Sequence, residues 1–401
     1  MAARPLDGFL IVEMASWAVI PGAAAILSDW GAEVIKVEDP RVGDPSRGWK
    51  GPAQYPFEVA LPPIYEQDNR NKRSVGLNME QERAREIMHR LVKKADVFVT
   101  NYVSRILEKF ALDYDRLAQI NPRLIYLHVN GYGERGPDAN KQGFDHTAYW
   151  ARGGLALTLG EPDGPPVDSR GALGDQPTAM MATAAIVAAL LARERTGIAQ
   201  KVSLALYNSA MWQLSPDIVT CALSGKPVPR LPKSLATPVA RYYRTKDGKW
   251  MRLVVTERHW PNFCKAMGRE GLANDPRFVS AEKRLEHNAE LIALLEELFA
   301  SQPRDYWGNR LDQYGCVWGM AQTIADIVAD RQAWENEFLV KVKHPITGEV
   351  TLVASPAKFS KTPVHINSAA PLLGQHTEEV LLELGYSWDD LAKLKAEGAI
   401  L

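Results

Sequence analysis

Cysteine is scarce in this chain: only Cys221, Cys264 and Cys316 occur, far apart and with no CxxC pair. That scarcity argues against a disulfide framework or a cysteine zinc site and suits a reducing compartment. An excess of one charge is missing too, the formal net charge being −1. A chain so balanced is not built chiefly for nucleic acid or a membrane surface, so any anionic ligand must meet a local basic patch. Long hydrophobic runs are absent. The longest apolar-rich stretch, Met180 to Ala192, is rich in alanine and stops at Arg193, Glu194 and Arg195. It is short for a membrane span and reads as a buried helix. The opening MAARPLDG lacks the apolar stretch of a signal peptide. A cytoplasmic protein without membrane or nucleic-acid partners is expected. Neither GxSxG nor HExxH occurs and the eight histidines are scattered, so no metal is expected. His376 and Glu379 share a helical face, which reads as solvated surface before it reads as a ligand pair.

What is present is a chain of ordinary composition, 46% hydrophobic and 24% charged over 401 residues, long enough for two domains. Its first third alternates strand-like and helix-like segments. Phe9 to Glu13, Glu33 to Val37, Asp96 to Thr100 and Arg123 to Val129 read as strands. Pro21 to Trp30, Glu80 to Lys94 and Tyr114 to Ile120 read as helices, the first stopped by Gly31. Such alternation indicates βαβ units and a mostly parallel sheet. Gly174-Asp175-Gln176-Pro177 opens a helix that runs to about Arg195, followed by a strand from Lys201 to Tyr207. A proline-rich linker spans Ser224 to Pro238. Beyond it a hairpin turns at Lys246-Asp247-Gly248 within Tyr242 to Val255. Helical patterns then dominate to about Phe338. A β-like stretch near Glu349 to Ala354 and a last helix capped by Ser387, with Asp390 three residues on, complete the chain.

Gly131-Tyr-Gly-Glu-Arg-Gly136 matches GxGxxG after a strand, but Pro137-Asp138-Ala139-Asn140 follows and breaks rather than starts a helix. A dinucleotide site needs that helix, so the motif reads as a glycine-rich loop. Asp175 reads first as a helix N-cap, with Pro177 suited to the first turn. The same position suits chemistry. A carboxylate at a helix N-terminus is expected to be held ionised by the dipole and the free N–H groups. An ionised carboxylate is a nucleophile toward a thioester, and the N–H groups could steady an oxyanion. Two basic stretches are candidates for an anionic cofactor. Asn69 to Ser74, carrying Lys72 and Arg73, reads as a loop; Asn101 to Lys109, carrying Arg105 and Lys109, follows a strand end, where open α/β sheets bind ligands. Trp17, Tyr149 and Trp150 are either the lining of a bulky apolar pocket or core.

Eight segments in order carry a resemblance along nearly the whole chain: PLDG at Pro5, GAEVIKVE at Gly31, NKRS at Asn71, NPRLIY at Asn121, GALGD at Gly171, RERTG at Arg193, DPRF at Asp275 and PLLGQHTEEVL at Pro371. Together they resemble the class III CoA-transferase family, which includes formyl-CoA, carnitine and bile-acid CoA-transferases. The resemblance implies an α/β fold in an interlocked homodimer. A Rossmann-like large domain, its parallel sheet built from both chain ends, would enclose a smaller α+β domain. The expected bounds are 1–223 for the first part of the large domain, 224–240 for the linker, 241–330 for the small domain and 331–401 for the return. It implies coenzyme A as acyl-CoA co-substrate and Asp175, matching the family's GD motif, as covalent nucleophile. Trp17, Leu77, Asn101, Tyr102, Arg105 and Lys109 match the family's CoA contacts. Asp39 departs from the pattern, standing where some members place a basic residue near the adenosine end. The look of Gly131 to Gly154 is that of members acting on aryl-lactate, 2-hydroxyacyl or bile-acid CoA esters. The alternative is an α-methylacyl-CoA racemase, which needs a His and an Asp flanking the α-carbon. Its His lies in a GHD segment; the matching stretch here is Gly143-Phe144-Asp145, and Phe cannot move a proton, so that reading survives only if His146 substitutes. A CoA-binding dimer without catalysis is disfavoured by the intact Asp175.

Overall fold

A computed structural model describes residues 3–52, 55–230, 232 and 237–401. Most of the expected linker is therefore described, but residues 231 and 233–236 lie outside. The chain divides into two compact units, one of residues 1–158, 166–228 and 334–401, the other of 159–165 and 229–333.

In the large unit the order is β1 (Leu10–Met14), α1 (Val19–Asp29), β2 (Glu33–Glu38), α2 (Pro63–Asn69), β3 (Arg73–Gly76), α3 (Glu82–Lys94), β4 (Val97–Thr100), α4 (Ser104–Lys109), α5 (Tyr114–Ile120) and β5 (Ile125–Asn130). Then come the short α6 (Leu155–Thr158), the long α7 (Asp175–Thr196), β6 (Lys201–Ala205), α8 (Leu206–Gln213) and α9 (Ser215–Ser224). The six strands form one parallel sheet in the order β3-β2-β1-β4-β5-β6. Covered on both faces, the central strands are continuous apolar runs; Val97, Phe98 and Val99 are all buried. Alanines of α1 pack on α7, where Ala179, Ala182 and Ile186 supply the facing side. By length and composition α7 is apolar enough to cross a membrane; in this unit that composition serves packing against α1 and the sheet. Gly31 (φ 113°) and Gly197 (φ 74°) end α1 and α7 in the left-handed region, as read from the sequence.

The sheet corrects one expectation. All its strands lie between Leu10 and Ala205, so both chain ends build the unit but not the sheet. The C-terminal end contributes helices Thr377–Glu383 and Trp388–Ala396, whose Val380, Leu381, Leu391 and Leu394 close one core, and a single bridge between Leu77 and Ile400. The reason is pattern: those segments carry a helical apolar stripe rather than a strand's alternation. Ser387 and Asp390 form the expected capping box.

Two more strands, β10 (Leu339–His344) and β11 (Gly348–Val353), make an antiparallel hairpin in the large unit. In the small unit β7 (Tyr242–Arg244), β8 (Trp250–Leu253) and β9 (Trp318–Ala321) form an antiparallel sheet, with the turn at Gly248 (φ 77°) where the sequence put it. Its core gathers Tyr243, Met251, Phe263, Phe278, Leu295, Phe299 and Trp307. The Cys264 and Cys316 thiols are buried and free, and Cys221 is exposed and free.

Between β1 and β2, charge replaces grease. Glu13 and Lys36 are cross-strand partners, and the Glu13 carboxylate accepts from Lys36 Nζ at 2.7 Å and from Lys72 Nζ at 2.6 Å, all three side chains being 0% exposed. Lys36 also donates to Asp44 Oδ2 at 2.9 Å and to the Ala15 carbonyl at 3.1 Å. Against the burial that pushes it down, Asp44 and Glu13 hold the Lys36 ammonium charged. Lys72 loses that contest, burial lowering it to about 8 in spite of Glu13.

Candidate active site

The strand order reverses between β1 and β4, and in open α/β sheets the crevice at that switch point takes the ligand. A cavity of about 1080 Å³ opens there, large for a small-molecule site. Ser16 and Trp17 follow the carboxyl end of β1, Asn101 and Tyr102 that of β4, and Gly131 that of β5; all line it, and so does Asp175.

The local structure of this wall is over-determined. Asn101 clamps the Ser16 backbone from both sides, its Oδ1 accepting from Ser16 N at 3.1 Å and its Nδ2 donating to Ser16 O at 2.8 Å. Trp17 sits at φ 69°, a left-handed conformation that a non-glycine residue adopts only when held. The holder is Asp44, whose Oδ1 accepts from Trp17 N at 3.1 Å and whose other oxygen takes the Lys36 ammonium. The buried ion network therefore shapes the cavity wall.

That network also holds Lys72, and a separate ion cluster holds Arg73; neither lines the cavity. Lys72 is buried with its three donors spent on Glu13, Pro21 O and Asn69 Oδ1. Arg73 opens β3 rather than lying in a loop, and is paired with Glu33, Glu379 and Glu383. Glu379 is thus an ion-pair partner, and His376 Nδ1 accepts from Ser74 N at 3.1 Å.

The remaining sequence candidates fall into three places. Trp17, Asn101 and Tyr102 line the large cavity. Leu77 and Tyr102 line a smaller hollow of about 80 Å³ beside it, together with Asp39 and Arg41. Arg105 and Lys109 stand exposed on α4, Lys109 paired with Glu80 at 2.6 Å. Two residues on from Asp39, Arg41 pairs with it at 2.6 Å. Tyr149 and Trp150 belong to the core. Trp150 Nε1 donates to the Val167 carbonyl at 2.6 Å, and the Tyr149 hydroxyl bonds Gln213. The aromatic lining comes instead from Trp49, Tyr55 and Phe144, which lie in stretches without periodic signal.

Asp175 is the first residue of α7, but Gly174, not Asp175, occupies the cap position. A methyl group on Gly174 would stand 2.2 Å from the Tyr149 ring and 2.4 Å from Asp145 Oδ1, so only glycine fits. The expectation that helix donors hold Asp175 ionised is reversed. Gln176 N–H goes to the Ala172 carbonyl at 3.1 Å, and Pro177 has no N–H. Gly174 N–H goes to Asp145 Oδ1 at 2.8 Å. Left without donors, the Asp175 carboxyl is pushed up to about 7, first by burial, then by the charges of Asp145 and Asp68. His146 also lines the cavity, its Nδ1 3.1 Å from Ser169 Oγ.

The GxGxxG stretch forms no helix; Gly133 (φ 101°) and Gly136 (φ 88°) lie in turns. Its first glycine has a packing role. A methyl on Gly131 would meet Gly143 Cα at 2.6 Å, so two backbones touch where the turn after β5 passes the segment leading to Asp145.

A switch-point cavity lined by a carboxyl group, with no helix opening inside the glycine-rich loop, does not suit a dinucleotide binder. The model of CoA-transferase family III matches residues 6–377, and the chain belongs to that family. It is similar to the (R)-2-hydroxy-4-methylpentanoate CoA-transferase of Clostridioides difficile, at 33% identity over 97% of this chain and 98% of that one. It is also similar to the cinnamoyl-CoA:phenyllactate CoA-transferase of Clostridium sporogenes, at 32% identity over 98% and 97%. A crystal structure of a CAIB/BAIF family protein from Brucella suis superposes with a TM-score of 0.83 at 31% identity, over 96% of this chain and all of that one.

Proposed function

We propose that this class III CoA-transferase moves coenzyme A between an acyl-CoA and a free carboxylic acid through covalent intermediates on Asp175. One observation carries the reading: the Asp175 carboxyl lines the switch-point cavity with no hydrogen bond from the described residues competing for it. It would attack the donor thioester carbonyl to give a mixed anhydride, expelling CoA thiolate. The thiolate would then attack the aspartyl carbonyl, releasing the donor acid and leaving an aspartyl-CoA thioester for the acceptor carboxylate. Trp17, Asn101 and Tyr102 in the cavity, Leu77 in the adjoining hollow, and Arg105 and Lys109 on α4 are the proposed CoA contacts. The acyl group is proposed to be bulky and apolar, of the aryl or 2-hydroxyacyl kind. Trp17, Trp49, Tyr55 and Phe144 around the cavity support that choice, as do the substrates named for the two clostridial relatives.

Incubation with a panel of acyl-CoA esters plus hydroxylamine is expected to inactivate the enzyme with a productive donor and leave a hydroxamate on Asp175, read by peptide mass spectrometry. Deuterium uptake at the α-carbon without CoA transfer would instead favour the racemase reading, with His146 as the second proton-transfer group.

An interlocked homodimer belongs to the same proposal. It is supported by α9, which buries no residue of its own, and by Trp212 and Leu223, 76% and 85% exposed. Light scattering should return twice the 44.5 kDa chain mass; a monomer at micromolar concentration would remove this part of the reading.

A further inference from the structure

Carboxyl groups from separate elements meet at the start of α7. Asp145, from the π-helical turn Asp145–Ala151, is 5% exposed and gives one oxygen to Gly174 N–H. Its other oxygen, Oδ2, is buried with no hydrogen-bond partner among the described residues. Asp68, from α2, is 1% exposed, with both oxygens 3.1 Å from Gln176 Nε2. Arg170 and Lys141 line the same cavity and are exposed, and the cations around Asp68 are committed. Lys72 is held by Glu13 and Arg70 by Asp29, while His146, beside Asp145, is exposed. Asp44, the other acid near Asp68, is paired with Lys36. An unpaired buried carboxylate oxygen is costly, and folds keep one where it has work to do.

We infer that Asp145, with Asp68 behind it, is a positioning residue whose charge destabilises the ionised nucleophile and thereby favours its acylation. This rests on Asp175 being the nucleophile. When its oxygen bonds the acyl carbon, the carbon–sulfur bond breaks and the electron pair leaves with sulfur as CoA thiolate. The negative charge has then moved from the carboxyl cluster to the departing cofactor. Burial pushes Asp145 up and Asp68 up to about 7, so the repulsion is present in the free enzyme above that pH, and it disappears in the anhydride and in the aspartyl-CoA thioester. Both intermediates are brought closer in free energy to the free enzyme, which matters because a mixed anhydride lies above the thioester that forms it. The same repulsion keeps Asp175 basic, burial and the two acids together holding it near 7.

The test is the pH profile of kcat/KM together with the steady-state fraction of covalent adduct. Wild-type activity should fall with an acid limb near pH 7, set jointly by Asp175 and by Asp68, which burial also pushes up to about 7. Asp145→Asn keeps an oxygen for Gly174 N–H and removes the charge. It should move the limb down by about one pH unit and lower the adduct fraction at pH 8 several-fold, with CoA affinity unchanged. Asp68→Asn, on a different element, should move the limb the same way, and it carries the test if Asp145→Asn does not fold. Labelling at Asp175 with an unmoved limb in the folded variants overturns the inference and leaves the nucleophile standing. Absence of any wild-type adduct overturns the nucleophile itself.

Discussion

Asp175→Ala is expected to bind CoA as the wild type does and to lose transfer, kcat falling by about 10⁴-fold or more, the scale seen when a covalent nucleophile is removed. The argument for retained binding is spatial. The cavity wall is held by the Asn101 clamp on Ser16 and by Asp44 on Trp17, neither of which involves α7. The helix itself should not suffer, since Gly174 is the cap and alanine is a good helix former in the first turn. Its stability should hold or rise, and the sign follows from linkage. A carboxyl raised from its ordinary range to about 7 destabilises the fold once ionised. That cost is present above pH 7 and fades as pH falls through 7 toward the unfolded value. The variant should therefore melt no lower than the wild type at pH 8. Calorimetric CoA titration, turnover with a productive donor and acceptor, and melting curves check all three. Normal turnover would end the assignment.

Glu13→Ala should cost about 3–5 kcal/mol of stability, measured by urea unfolding, because it strands two buried ammonium groups. Lys36 and Lys72 share that one carboxylate at 2.7 and 2.6 Å, and none of the three side chains meets solvent. Lys36 keeps Asp44, so the heavier share of the loss falls on Lys72, already near 8 while Glu13 is in place. The effect should reach the cavity as well. Asp44 links Lys36 to the Trp17 backbone, so a rearranged Lys36 relaxes the left-handed turn and weakens CoA binding. A loss below about 1 kcal/mol would mean that the pair is dispensable, as some buried ion pairs are when their site can repack.

Much of the large unit was legible because its strands are short and rich in β-branched and apolar residues: LIVEM and VFVT read as apolar runs, and EVIKVE keeps Val34, Ile35 and Val37 between its charges. β3 was missed because RSVG is short and follows basic residues, so its strand character comes from β2 alone. β9 and β10 were hidden by alternation too brief to separate from neighbouring helical patterns. At the site, the helix start at Asp175 was visible and the lack of donors around it was not. A sequence shows which donors a helix end offers but not that a proline, a carbonyl and Asp145 use them up. Asp68, bonded to Gln176 from 108 positions away, is invisible for the same reason. Lys72 looked like a surface cation in a basic run. Glu13, 59 residues earlier and inside a strand, made it a core residue.

The touching backbones of Gly131 and Gly143 have a genetic consequence. Asp145 is hung from the sheet by a seam of main chain that has no room for a methyl group, and one base change turns a glycine codon into an alanine codon. Neither glycine has a side chain that could react, so a catalogue of variants scored by chemistry would pass both as benign. Geometry makes them lesions of the packing that sets Asp145 against Gly174.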